Sequence, residues 1–155
     1  MVRVLLVSLL LLCAATAAAA PDEPAAAPAL APSGPPVVSA ESRVNDGLAF
    51  AKSGDWVQAE TAYRDATRLG ATLPEAWNGL GYALRRLGRY DESIRAYQEA
   101  LRLRPAYPQA LEYLGEAYVQ AGRLQEARAV LDRLRPLDPK EADELAQAIA
   151  KAARR

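Results

Sequence analysis

The chain has 155 residues, with 19 Lys and Arg against 19 Asp and Glu, no histidine and one cysteine. These numbers allow one small domain and exclude catalysis by a histidine base, an intramolecular disulfide and histidine- or cysteine-rich metal centres. The zero net charge argues against a basic nucleic-acid-binding face. Hydrophobic residues make up 51% and aromatic residues 6% of the chain, and the abundance of alanine favours closely packed helices.

The N-terminal segment has the layout of a secretory signal peptide. Arg3 supplies a positive charge, residues 4–13 form an almost unbroken apolar run, and small residues follow. We therefore predict a signal peptide at 1–19 and an exported protein, periplasmic or secreted; the alanine-, proline- and arginine-rich usage favours a bacterial periplasm. An uncleaved segment would instead anchor the protein in a membrane. Lipidation at Cys13 is disfavoured because Leu12 precedes it.

Residues 20–39 are rich in alanine and proline. Proline fixes its own backbone dihedral angle and lacks the amide hydrogen that a helix needs, so no helix can continue through this segment. We predict a disordered linker of semi-stiff, extended chain. The prolines that support this prediction are Pro21, Pro24, Pro28, Pro32, Pro35 and Pro36.

From residue 40 onward the sequence repeats itself at a fixed interval. Gly54, Gly88 and Gly122 are equally spaced and mark this period, and other small and bulky residues recur in the same register. Such a period is typical of a solenoid, in which each unit buries its hydrophobic face against its neighbours. The predicted units are 40–73, 74–107 and 108–141, followed by a C-terminal helix at 142–155.

The middle unit has the pattern of two helices. Trp77, Leu80 and Leu84 follow the three- and four-residue steps of one apolar helix face, and residues 90–103 show the same spacing. Gly88 lies between the two, where a residue in the left-handed conformation ends the first helix. Each unit is therefore interpreted as a helical hairpin, and the predicted fold class is all-α.

The motif of the middle unit resembles the tetratricopeptide repeat (TPR). The residues that carry the resemblance are Trp77, Leu80, Gly81, Leu84, Gly88, Tyr90, Ser93, Tyr97, Ala100 and Pro105. The resemblance implies a right-handed solenoid of three TPR hairpins plus a C-terminal capping helix. Within a hairpin we expect the helices to cross at Gly81 and Ala100, because a larger side chain would push the backbones apart.

The flanking units match this motif less well, as expected of end repeats that have one neighbour each. Leu145 falls one period after Leu111, where the first helix of a unit has its first apolar residue. The bulky Ile149 falls one period after Gly115. An isoleucine fits at that position when no second helix crosses it, so we interpret 142–155 as a single capping helix.

No arrangement of residues predicts catalysis or a cofactor, so we expect that the protein is not an enzyme. The serines have no histidine to activate them, and the glycines follow the repeat. Glu112 and Glu116 lie one turn apart, but two carboxylates make a poor cation site without further oxygen ligands. Arg85, Arg86 and Arg89 form a local basic cluster, which leaves an anion- or phosphate-binding role as an alternative.

The TPR resemblance implies that the first helices of successive units line a concave groove for a partner peptide. Carried over by register, the predicted groove residues are Val44, Leu48, Lys52, Asn78, Tyr82, Arg85, Arg86, Gln109, Glu112, Glu116 and Val119. Their charges favour a partner that is basic towards the third unit and acidic near Arg85 and Arg86. Glu112 and Glu116 disfavour a ligand held by its C-terminal carboxylate. Alternatively, some of these residues only solvate the helices.

We therefore predict a non-catalytic scaffold or adaptor that binds another protein or peptide segment, in the bacterial envelope. Self-association is an open alternative, because TPR arrays also pack end to end. A further alternative is an accessory subunit of a separate enzyme or of a secretion or assembly complex. We expect no nucleic-acid partner, and a membrane only if the N-terminal segment remains uncleaved.

Overall fold

The computed structural model of the protein describes residues 38–154, so the predicted signal peptide and most of the predicted linker lie outside the described residues. Within 38–154 the chain forms helices and no strands, which confirms the all-α prediction. None of these helices is long and apolar enough to span a bilayer. The helices are α1 (Ala40–Ser53), α2 (Trp56–Leu69), α3 (Pro74–Arg86), α4 (Tyr90–Leu103), α5 (Pro108–Gln120), α6 (Leu124–Leu134) and α7 (Pro139–Ala152).

Glycine makes the tight turn inside each predicted hairpin. Gly54, Gly88 and Gly122 have φ angles of 80°, 77° and 75°, a region that glycine enters without steric cost. At the middle turn the Gly88 amide donates to the Arg85 carbonyl at 3.0 Å, and the next amide donates to the Leu84 carbonyl at 2.9 Å. These bonds satisfy carbonyl groups at the end of α3 and confirm the left-handed helix end predicted for this position.

The helices form two layers. Each helix packs against the next one along the chain, and α1, α3, α5 and α7 also contact one another in turn. The helices α2, α4 and α6 make no such contacts among themselves. The odd-numbered helices therefore form the inner layer, and the array bends around it. The buried apolar side chains form two core clusters, a larger one from α4 to α7 and a smaller one from α2, α3 and α4, and the half-buried Trp77 packs against both.

The crossing of α3 and α4 is set by Gly81, as the sequence predicts. A β-carbon added to Gly81 would lie 2.7 Å from the ring of Tyr97, which is too close for a carbon–carbon contact. The hydroxyl of Ser93 donates to the Gly81 carbonyl at 2.8 Å, so this buried polar side chain has its partner. Ala100, the other expected residue of the crossing, is fully buried.

The helix α7 covers the third hairpin. It begins at Pro139, three residues before the boundary expected from the repeat, because Asp138 caps it by accepting a hydrogen bond from the Glu141 amide at 3.2 Å. Leu145 and Ile149 are buried in the larger core cluster against the preceding helices. The inner layer thus continues through α7, which adds its side chains to one end of the inner face.

Candidate functional site

The inner face holds a cavity of about 470 Å³, lined mainly from α1, α3 and α5, with Tyr63 of α2 and Tyr107 just before α5. Residues four apart on a helix project from the same side, and this periodicity brings the predicted groove residues of α1 and α3 to one surface. The cavity also has a tyrosine wall, formed by Tyr107 and Tyr113. The predicted groove residues that line the cavity are Val44, Leu48, Lys52, Asn78, Tyr82 and Gln109.

Two side-chain amides lie on this cavity. Asn78 is buried, and its Nδ2 donates to Gln109 Oε1 across 3.4 Å. The hydroxyl of Tyr107 reaches the same Gln109 oxygen at 3.4 Å, and Gln109 Nε2 reaches the Tyr113 hydroxyl at 3.4 Å. All three contacts are about 0.5 Å longer than a well-formed hydrogen bond. The amide groups therefore keep hydrogen-bonding capacity on the groove side.

A row of aromatic rings crosses the inner face beside the cavity. Tyr82 stacks on Tyr113 with ring centroids 5.4 Å apart, and it meets Trp56 edge-on at 5.4 Å. The Arg86 guanidinium lies 4.1 Å from the centroid of the Trp56 ring, a cation–π geometry. Arg86 is exposed, and its charge contacts the Trp56 ring at the end of this row.

Arg85 lies within the same row. Its guanidinium is 5.5 Å from the Tyr82 centroid and 5.4 Å from the Tyr113 centroid. Its Nη1 is 2.6 Å from Glu116 Oε2, and only 10% of the Arg85 side chain is exposed. Arg85 and Glu116, both predicted to contact a partner, therefore neutralise each other within the protein.

The predicted basic cluster does not form one site. Arg89 pairs with Glu60 and Glu92, each at 2.7 Å, whereas Arg85 and Arg86 face the inner aromatic row. The three guanidinium groups are directed to different partners. Each of the three arginines already contacts its own carboxylate or ring, so they do not form a common anion-binding site.

The C-terminal end of the inner face is acidic. Glu112, Glu116, Glu141 and Glu144 line a pocket of about 160 Å³ between α5 and α7. Burial raises the pKa of Glu112 to about 7, repulsion by the neighbouring glutamates adds to this effect, and Arg85 opposes it. Lys140 pairs with Glu141 at 3.1 Å and with Glu144 at 3.0 Å. The four carboxylates of this pocket thus share two cations among the described residues, Arg85 and Lys140, so this end of the face keeps a net negative charge.

The structure adds residues that the repeat pattern did not predict. Tyr113 falls one period after Gly79, so its counterpart in the middle unit has no side chain and gives no signal. Tyr107 lies just before α5, outside the helical pattern. Val119, which was predicted for the groove, is half-buried against the larger core cluster. Within 38–154 no three His, Cys, Asp or Glu side chains are grouped to hold a metal ion.

Comparisons with known proteins agree on the fold. A sequence model of the family described as tetratricopeptide repeat matches residues 45–108 and 80–142. No curated protein matches the chain. Solved structures that resemble it include the first TPR of Spaghetti (RPAP3) bound to the HSP90 peptide SRMEEVD, with a TM-score of 0.71 and 22% identity over 76% of this chain and 94% of that one.

Two further structures show the same likeness. The TPR2B domain of yeast Sti1 in a pHsp70 complex has a TM-score of 0.69 and 22% identity, over 74% of this chain and 96% of that one. The Yersinia enterocolitica type III secretion chaperone SycD, in complex with a peptide of the translocator YopD, has a TM-score of 0.63 and 22% identity, over 72% and 87%. At this level of identity the likeness concerns the fold.

Proposed function

The chain belongs to the tetratricopeptide repeat family, and on that premise we propose that it is a non-catalytic scaffold that binds a segment of another protein along α1, α3 and α5. The observation that supports this most is the cavity of about 470 Å³ on the inner face. It combines an apolar wall, a tyrosine wall and amides with spare hydrogen-bonding capacity, as binding sites for peptides do. The structural relatives named above carry peptides of other proteins.

The charges of the inner face favour a neutral or basic partner segment. The peptide SRMEEVD held by one relative is acidic near its end, whereas Glu112 and its neighbours make one end of this face negative. The sequence led us to expect acidic partner residues near Arg85 and Arg86. That expectation is not supported, because Arg85 is paired with Glu116 and Arg86 lies over Trp56. A positive side chain towards α7 remains the complementary choice.

Location in the bacterial envelope is part of the proposal, and the signal-like pattern of residues 1–19 supports it. Cell fractionation of a native host, followed by N-terminal sequencing, tests this location. A mature chain that begins near residue 20 in the envelope fraction supports export. A chain that keeps Met1 in the cytosolic fraction contradicts it.

Groove-dependent capture tests the function itself. The full chain is used to capture proteins from the native envelope fraction, in parallel with Leu48→Glu, which places a charge in the cavity, and Gln125→Ala, an exposed control on α6. A protein retained by the wild type and the control but lost with Leu48→Glu supports the proposal. Equal capture by all three chains contradicts groove binding, and capture of an enzyme or a secretion component identifies an accessory role.

Self-association is tested separately. Sedimentation of the pure chain over a range of concentrations shows whether the mass rises without any partner. If the mass doubles for the wild type but not for Leu48→Glu, the inner face binds a second copy of this chain. A constant monomer mass leaves the groove to a different protein.

A further inference from the structure

We propose that residues 28–37 of this chain fold back into the cavity on the inner face and occupy it until a partner segment displaces them. The occupant is a named part of the same chain, so its docking controls access to the groove. This inference adds regulation to the proposed groove function and rests on it. Three features support the contact: the lining of the cavity, the composition of residues 28–37 and the short path between the two.

The first feature is the aromatic wall of the cavity. Tyr82, Tyr107 and Tyr113 line it and are half-buried, so part of each side chain stays at the cavity surface. Tyr82 and Tyr113 stack with ring centroids 5.4 Å apart, which joins two rings into one wall. Aromatic walls bind proline-rich segments well, because such a segment is already extended before it binds and loses little conformational freedom.

The wall opposite the tyrosines is aliphatic. Val44, Leu48 and Ala51 of α1 line it, and Leu48 is 47% exposed. An occupant that covers Leu48 removes apolar surface from water. The cavity therefore fits a segment that combines prolines with an aliphatic side chain.

The second feature is the composition of residues 28–37, which read PALAPSGPPV. Pro28 and Pro32 flank the large apolar side chain of Leu30, and two further prolines follow. The segment thus supplies both the prolines that suit the tyrosine wall and an aliphatic side chain that suits the wall of α1.

The charges of the segment and of the cavity are compatible. Residues 28–37 contain no charged side chain. The charged residues that line the cavity are Lys52 and Glu75, and Glu75 already pairs with Arg104. Docking of a neutral segment therefore brings no further charge out of water, which would be costly without a partner.

The third feature is the path by which the chain enters α1. Val38, the first described residue, shares a surface pocket with Leu69 of α2, so the residues before it must cross the end of α1 to enter the cavity. A helix with its side chains is about 10–12 Å wide, and residues 33–37 span about 17 Å when extended. Gly34 permits a reversal of the backbone within this stretch. Residues 28–32 are therefore within reach of the cavity.

Attachment to the same chain makes a weak contact effective. A segment joined to its site by a short linker has an effective concentration of about 1 mM there. We expect the separate segment to bind with a dissociation constant of about 0.1 mM, so the attached segment fills the cavity about nine-tenths of the time. A partner then binds about tenfold more weakly than it binds an empty groove, and a tight partner still displaces the segment.

The experiment uses the full chain and a synthetic peptide with the sequence of residues 26–37. In a Gly/Ser variant of the full chain, residues 28–37 are replaced by an equal number of glycines and serines, which removes the proposed occupant. We expect this variant to bind the peptide with a dissociation constant of about 0.1 mM and the wild type to bind it about tenfold more weakly. Isothermal titration calorimetry measures both affinities.

Matched controls locate the binding site. A chain in which residues 20–25 are replaced in the same way keeps the proposed occupant and should bind the peptide as weakly as the wild type. In the Gly/Ser variant, Leu48→Glu places a charge in the cavity and should abolish binding, whereas Gln125→Ala, at an exposed position of α6, should not. A peptide with Leu30→Ser should bind about tenfold more weakly. Circular dichroism melts establish that the variants are folded.

Nuclear magnetic resonance tests the contact within the wild-type chain. We expect nuclear Overhauser effects between Leu30 or Pro32 and the ring protons of Tyr82 or Tyr113, at every protein concentration. Leu48→Glu should remove them. Effects that appear only at high concentration, together with a doubled mass in sedimentation, overturn the contact within one chain and assign the cavity to the same segment of a second copy.

The outcomes separate self-docking from the groove function. If the peptide does not bind the Gly/Ser variant, or binds it and the wild type equally, self-docking is overturned, while capture of an envelope protein that depends on Leu48 still supports the groove function. If both hold, the Gly/Ser variant should capture more of that protein than the wild type. If the peptide binds as expected but capture is unaffected by Leu48→Glu, the groove function fails, and the regulatory role of residues 28–37 fails with it.

Discussion

The Nη1 of Arg85 on α3 lies 2.6 Å from Oε2 of Glu116 on α5, and this contact joins two successive units on the inner face. The guanidinium also lies beside the stacked rings of Tyr82 and Tyr113, 5.5 Å and 5.4 Å from their centroids. The Arg85 side chain of α3 thus contacts both a carboxylate and an aromatic ring of α5, and these contacts link the two helices. The wall of the cavity is therefore set by contacts between repeats, and its shape depends on this pair.

Removal of Arg85 should destabilise the fold. Arg85→Met leaves Glu116 without its cation and removes the charge beside the stacked tyrosine rings, so we expect the free energy of unfolding to fall by about 1–3 kcal/mol. Chemical denaturation at neutral pH measures the change. Glu116→Gln keeps a hydrogen-bond acceptor and should cost less. An unchanged midpoint for Arg85→Met would show that the pair is not significant for stability.

A methyl group at Gly81 should also be costly. Alanine favours a helix over glycine by about 1 kcal/mol, but the added β-carbon would lie 2.7 Å from the Tyr97 ring. Because the ring is fully buried, we expect Gly81→Ala to lower stability by about 1–3 kcal/mol. Thermal unfolding tests this, and Tyr97→Leu in the same chain should recover part of the loss. A stabilised Gly81→Ala variant would contradict the close approach of α3 and α4.

The stability should depend on pH through Glu112. Its pKa rises from the ordinary 4.5 to about 7 in the fold, so the ionised form costs stability above pH 7 and this cost disappears as the pH falls towards 4.5. Since the group is only partly buried, solvent screening reduces the expected effect to about 1 kcal/mol. We expect Glu112→Gln to be more stable than the wild type at alkaline pH and equal to it in acid.

Glu126 provides the control for that measurement. A backbone hydrogen bond and then Arg123 lower its pKa, so the ionised form stabilises the fold at pH values above the ordinary pKa. Glu126→Gln should therefore change stability in the opposite direction at alkaline pH. Denaturation curves across the pH range measure both variants. The same sign for both would contradict the assignment of Glu112.

Replacement of Asn78 by leucine should raise the stability of the fold. Leucine has nearly the same shape as asparagine and carries no polar atom, so Asn78→Leu removes the unpaired Oδ1. We expect a gain of about 1 kcal/mol, which corresponds to a rise in Tm of about 4 °C or more. Calorimetry measures it. Asn45→Leu, at an exposed position of α1, controls for the helix preference of leucine, and an equal gain there would rule out relief of a buried acceptor.

The repeat period was sufficient to predict the hairpins, because the residues that make a helical hairpin are close in sequence. Gly88 ends α3 in the left-handed conformation, and Gly81 leaves room for Tyr97, as their positions in the period indicated. The same register brought six predicted groove residues to one cavity. These features depend on local geometry, which recurs at equivalent positions of the repeat.

The pairing of side chains between units was decided only by the tertiary structure. Arg85 and Glu116 are not equivalent positions of the repeat, so no period connects them, and the sequence presented both as free to meet a partner. Tyr113 stacks on Tyr82 although its own counterpart is Gly79. A repeat fixes which face of each helix turns inward. It does not fix which of several nearby charges and rings meet, because that depends on distances across the helix–helix interface, where each cation takes the carboxylate or ring within its reach.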